Sequence, residues 1–240
     1  MNPLQFELDR LYGLGASAAH GATPAAVQRV RALVLELRPP AGWAELSSVW
    51  TGVQSDLGFP PPAIAVSGAD ALQLWFSLAS PTLPSEGALF LQGLRARYLP
   101  HLGSTQVRLI ADAGQFPPAP PMETSPDRWS AFVAPDLASV FADTPWLDFP
   151  PNTEGQAALL RVLEPIGQVS FEAALNHLGV MEEVPPADLL KLAGLPEVPT
   201  SEQGGADAER FLRAVMNDES VPMALRVEAA KGLLGHAKRA

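Results

Sequence analysis

Hydrophobic and polar positions alternate most cleanly over residues 32–37, where Leu33, Leu35 and Leu37 fall on one side and Val34, Glu36 and Arg38 continue the other. A period of two with one wholly apolar side predicts a strand, and Pro39 and Pro40 stop it. The period then changes. Trp43, Leu46, Val49, Trp50, Val53 and Leu57 recur at spacings of three and four, which predicts an amphipathic helix closed by Gly58 at its C-terminal cap. Two apolar runs, "AIAVS" and "LQLWFSL", flank Gly68, Ala69, Asp70 and Ala71, a connection short enough for a hairpin. A helix capped by Ser85 runs through Tyr98, and "QVRLIADAG" supplies another strand. The predicted order is strand, helix, strand, strand, helix, strand.

Around this unit, residues 1–31 read as mostly helical, with one helix ending at Gly13 and Gly15 and a second starting near Thr23, with Pro24 at its first position. Five prolines between Gly114 and Asp127 predict an extended connector, after which "WSAFVAPDLASVF" returns to the sheet. Short helices punctuated by prolines fill 151–199, and 200–206 reads as a linker. Residues 207–240 read as two amphipathic helices, one presenting Phe211, Leu212, Val215 and Met216 and the other Met223, Val227, Ala230 and Leu234. The expected class is α+β, with its sheet within residues 32–150.

Composition narrows the function. With 240 residues and 47% hydrophobic content the chain can build a real core, and the absence of cysteine excludes disulfides and thiolate metal sites. A net charge of -10 disfavours nucleic acid, whose non-specific binding rests on Lys and Arg neutralising phosphates. Residues 207–240 carry six basic against five acidic groups, so the first 206 residues hold -11. His20, His101, His177 and His236 show no metal-ligand spacing, so neither metal nor cofactor is expected. The opening residues lack a basic segment leading into an apolar run, and no stretch of about 18 apolar residues occurs, so the expectation is a cytoplasmic chain with no membrane span.

Gly13, Gly15 and Ala18 spell a dinucleotide-binding fingerprint, but the preceding "QFELDRLY" is charged where a buried parallel strand is continuously apolar. A second constellation joins three places: "LELRPPAGW", "AVSGADALQLWFSL" and "VRLIADAG". In order, element type and spacing they resemble the three motifs of the archaeo-eukaryotic primase-polymerase family, most closely the polymerase domains of bacterial end-joining ligases. The likeness covers about residues 30–115. In that family the first motif is a strand ending in Asp-x-Asp before prolines, the second is Ser-Gly followed by a His on the next strand, and the third is a strand ending in Asp. The resemblance implies a primase-polymerase or RRM-like sheet. It also implies a site at which Glu36 matches the first Asp, Arg38 the second, Ser67 the motif serine, Gln73 the His and Asp112 the last Asp.

Carboxylates two apart on a strand share a face, and a third from a neighbouring strand closes a cage for divalent ions. Arg38 puts a permanent cation where the metal needs an anionic oxygen, Gln73 lacks the imidazole's proton chemistry, and Asp70 stands where the second motif is often Lys. The site implied is a degenerate one: Glu36, Arg38, Ser67, Asp70, Gln73 and Asp112 without catalysis. If the carboxylates of Glu36, Asp112 and Asp70 instead converge, a rearranged metal or acid–base enzyme is the alternative. The terminal "ERFLRAVMNDESVPMALRVEAAKGLL" is similar to a segment of phage terminase small subunits, which implies a protein- or DNA-contacting hairpin; a self-associating or domain-packed hairpin is the ordinary reading. The function expected is a non-catalytic interaction or scaffolding protein with an unidentified protein partner.

Overall fold

The computed structural model describes residues 2–14 and 29–178. The helix expected near Thr23, the end of the short-helix region, the linker and the terminal hairpin lie outside the described residues. The first described helix is α1 (Pro3–Tyr12), and it is followed by β1 (Val30–Leu37), α2 (Trp43–Ser55), β2 (Ala63–Val66), β3 (Leu72–Thr82), α3 (Pro84–Tyr98) and β4 (Val107–Ile110). From β1 onward this is the order that periodicity predicts. Then come β5 (Glu123–Ser125), β6 (Arg128–Trp129), β7 (Ala131–Val133), α4 (Thr153–Arg161) and α5 (Gln168–His177). The class is α+β.

The main sheet has the order β4-β1-β3-β2-β7, with every neighbouring pair antiparallel. Its first four strands and the helices between them form the split βαβ, ferredoxin-like arrangement, and β7 adds a fifth strand beside β2. Leu33, Leu35 and Leu37 meet Leu74 and Phe76 on one face, packed by Leu46, Val49 and Val53 of α2, Phe90 and Leu94 of α3, and Phe171 of α5. On the opposite face Ala32, Val34, Ala63, Ala65 and Trp75 lie under Leu4, Leu8, Leu11 and Tyr12 of α1 and Leu160 of α4. Central strands buried on both sides explain why "ALVLEL" is almost continuously apolar. The alanines leave room there for rings: Tyr12 meets Trp75 edge-on at 5.4 Å and stacks on Phe132 at 6.3 Å. The helices expected outside the α+β unit thus prove integral to it, because α1 and α4 supply the second cover. Among the described residues no helix is long and apolar enough to cross a membrane.

Polar groups fasten that cover. Asn2 caps α1 through the Leu4 N–H at 3.0 Å, and Gly13 closes it at φ 67. Arg10 donates to the Leu160 and Leu163 carbonyls at 3.0 and 3.2 Å, closing the C-terminal end of α4, while buried Glu7 accepts from it at 2.6 Å. At the sheet's edge, the amide of Gln156 in α4 imitates a neighbouring strand. Its Oε1 accepts the Phe132 N–H at 2.7 Å and its Nε2 donates to the Phe132 carbonyl at 2.9 Å.

Three local expectations need correction. Ser85 does not cap α3: Leu83 is the extended N-cap residue, Pro84 opens the helix, and Glu86 accepts the Leu83 N–H at 3.1 Å and the Thr82 hydroxyl. Helix α2 ends at Ser55, and Gly58, at φ 64, turns the chain beyond it so that the Phe59 N–H reaches the Val53 carbonyl at 3.1 Å. The proline-rich connector is not structureless, since Ala113–Gln115 make a 3-10 turn and β5 pairs with β6 as a small flap.

Replacing Gln156 by Leu strands two buried backbone groups, and urea denaturation is expected to show a loss of about 2–4 kcal/mol. Glu86 gives a pH signature. The Thr82 hydroxyl and then the Leu83 N–H hold its carboxyl below the usual range. A carboxyl lowered in the folded state contributes stability that is present above its unfolded value and lost as pH falls through the folded one. The advantage of wild type over Glu86→Gln in urea midpoint is therefore expected to be full above the 4.5 of an unfolded glutamate and to shrink below it.

Candidate functional site

Strand pairing sets Glu36 directly opposite Gln73, and alternation puts Trp75 on the same face two residues further along. A relay of hydrogen bonds follows. The Trp75 indole N–H donates to Gln73 Oε1 at 2.9 Å, and Gln73 Nε2 donates to Glu36 Oε2 at 2.9 Å. Arg38 donates from Nε to Glu36 Oε1 at 3.1 Å, and its Nη2 lies 3.0 Å from the same oxygen as an ion pair. Glu36 is 4% exposed and Gln73 2%, whereas the Arg38 side chain is 44% exposed. Among the described residues no buried side-chain nitrogen or oxygen lacks a partner. Arg108 stands opposite Glu36 on β4 but reaches the Gln115 carbonyl at 3.3 Å instead.

The hairpin loop forms the adjoining wall. Ser67 Oγ accepts the N–H groups of Ala69 and Ala71 at 3.1 and 2.9 Å, and the Ser67 N–H donates to the Ala71 carbonyl at 2.9 Å. Gly68 lies at φ 79, and a Cβ there would come within 2.7 Å of both the Ser130 nitrogen and Thr124 Oγ1. The Thr124 hydroxyl donates to the Gly68 carbonyl, and the Gly68 N–H donates to the Pro145 carbonyl at 3.0 Å. The flap is thereby tied down over the loop. Beside it, Arg128 lies 4.1 Å above the Trp146 ring.

Between sheet, loop and flap opens a cleft of about 140 Å³, lined by Glu36, Arg38, Ser67, Asp70 and Gln73, with Pro117, Pro118, Met122, Thr124 and Ser130 opposite. Two larger depressions, of about 250 and 310 Å³, lie between β3 and α5 and beside α4. The smallest of the three is singled out by the residues that line it. It unites five of the six residues expected at one site.

Asp112 is the exception and a correction. Strand β4 runs against β1, with Val107 opposite Leu37 and Ile110 opposite Val34, so the chain beyond Ile110 travels away from Glu36. Asp112 is exposed, and its carboxylate accepts the Gly114 N–H at 2.9 Å, capping the 3-10 turn. Glu36 and Asp112 therefore do not share a site, and among the described residues no three His, Cys, Asp or Glu side chains are grouped to hold a metal. His101 and His177 are exposed, the latter 3.4 Å from Arg97. Gly13 follows a helix, α1, rather than the strand a dinucleotide fingerprint requires.

Sequence reasoning missed the Trp75 N–H, Gln156 and the flap residues Thr124 and Ser130. A Gln and a Trp two apart in an apolar strand were the available signal for the first. Comparison with protein-family models, with curated proteins and with solved structures finds no match to this chain.

Replacing Gln73 by Leu deprives both Glu36 and the Trp75 indole of a buried partner. Thermal and urea unfolding are expected to show a loss of about 2–5 kcal/mol, larger than for Asp112→Ala, which removes a single exposed cap.

Proposed function

We propose that this chain is a non-catalytic interaction or scaffolding protein, built on a degenerate nucleotidyltransferase-like domain that resembles the primase-polymerase family. One observation carries the reading: both oxygens of Glu36 are engaged, one by Arg38 and one by Gln73. A hard divalent ion needs anionic oxygens free to turn toward it, and the guanidinium occupies the position from which the second ligand would come. The separation of Asp112 from Glu36 removes the third corner of such a cage. The rival reading, an enzyme acting through Glu36 with Asp112, loses its geometry for the same reason.

The partner is proposed to be a protein, since a net charge of -10 opposes nucleic acid. A cytoplasmic location and descent from phage or mobile elements belong to the same proposal, the latter on the likeness of the terminal segment to terminase small subunits.

The test is incorporation of labelled nucleotides on primed and unprimed templates with Mg²⁺ or Mn²⁺. No incorporation above a protein-free control is expected. Incorporation that disappears in Glu36→Ala would overturn the proposal.

A further inference from the structure

Two residues of the cleft, Arg38 and Ser67, keep N–H or O–H groups with no acceptor among the described residues. Arg38 donates from Nε to a single oxygen, Glu36 Oε1, with Nη2 beside it, so the edge of the fork formed by Nη1 and Nη2 stays open. Such an edge presents two parallel N–H groups, the arrangement that grips a planar anion. Ser67 accepts two backbone N–H groups through Oγ, which leaves its own proton to donate. Both residues line the cleft. Arg38 is also held in place: Glu36 anchors it, Gln73 anchors Glu36, and Trp75 anchors Gln73. A donor already ordered by buried neighbours loses little further freedom on binding.

We infer that this cleft recognises a single carboxylate group, gripped by the open edge of Arg38 with Ser67 as a second donor. The inference deepens the reading of the chain as an interaction module and rests on it. Three features select a carboxylate. A volume of about 140 Å³ admits a group the size of acetate or succinate and falls far short of a nucleoside triphosphate. The fork is planar, as a carboxylate is. Asp70, exposed on the same rim, repels a multiply charged phosphate more strongly than a monoanion. Pro117, Pro118 and Met122 give the carbon chain behind the carboxylate an apolar wall. Such a group comes either from a free small acid or from a peptide terminus or acidic side chain of a partner, and the chemistry is common to both.

The experiment is a titration of the full, ¹⁵N-labelled chain, following the Arg38 Nε–H resonance. The probes are acetate, succinate, inorganic phosphate, and a short neutral peptide with either a free or an amidated C-terminus. A saturable shift with the carboxylates, weaker with phosphate, is expected. Arg38→Gln should weaken binding about tenfold or more, the loss that a charge-assisted bond carries. Asp70→Asn should tighten it roughly two- to fivefold by removing a like charge at an exposed position. The free peptide binding more tightly than acetate and its own amide supports the inference and points to a partner chain; acetate or succinate binding at least as well as the peptide supports it and points to a free acid. The inference is overturned by the absence of a saturable shift, by binding that survives Arg38→Gln, or by a preference for phosphate. Failure here together with absent nucleotide incorporation sinks this inference alone, whereas incorporation sinks the functional reading whatever the carboxylates do.

Discussion

A carboxylate buried among apolar strands is the constraint around which this molecule is arranged. Removed from water without partners, the Glu36 charge would cost several times what a single hydrogen bond returns. Its compensation draws in three neighbours, and each is held to a narrow chemistry. A carboxylate can only accept and an indole can only donate, so the residue between them must do both; the amide of Gln73 does so without carrying charge. Arg38 supplies the neutralising cation from the solvent side. Glu36 is thereby a structural anchor whose satisfaction fixes the floor of the cleft.

The same economy of polar groups explains why the sheet can be covered on both faces. In a ferredoxin-like arrangement the two crossover helices protect only one side. Here α1 and α4 protect most of the other; their own backbone ends are answered by Asn2 and Arg10, and the open edge of β7 by Gln156. What the two helices leave uncovered on that side is the end of the face where Glu36, Arg38 and Gln73 lie, roofed by the flap. The position of the cleft thus follows from where the second helical layer stops.

Local periodicity carried the β1-to-β4 succession because each element there is long enough to show its pattern, and the pairing of "AIAVS" with "LQLWFSL" followed from the short loop between them. The meeting of Glu36, Arg38, Ser67, Asp70 and Gln73 was legible for the same reason, as all five sit on one strand end and one hairpin. The position of Asp112 was not, since strand direction in the sheet is a long-range property that spacing along the chain does not encode. The second helical cover was equally hidden. "ALVLEL" reads alike for a strand buried on one side or on two, and the strand-like role of Gln156 depends on a contact between residues 24 apart in sequence. Ser85 misled because a hydroxyl near a helix start is a common cap, while Pro84 and Glu86 together shift the boundary two residues earlier.

The left-handed turn at Gly68 has a bearing on how such a chain can diversify. Its missing side chain is what lets the flap close down, and Thr124 and Pro145 fasten to its backbone from two separate segments. Drift at that loop is consequently not free to proceed one position at a time: a bulkier residue demands simultaneous remodelling of the roof. Variation around the cleft would therefore accumulate at the rim, around Asp70 and Met122, where exchange leaves the Gly68 turn undisturbed.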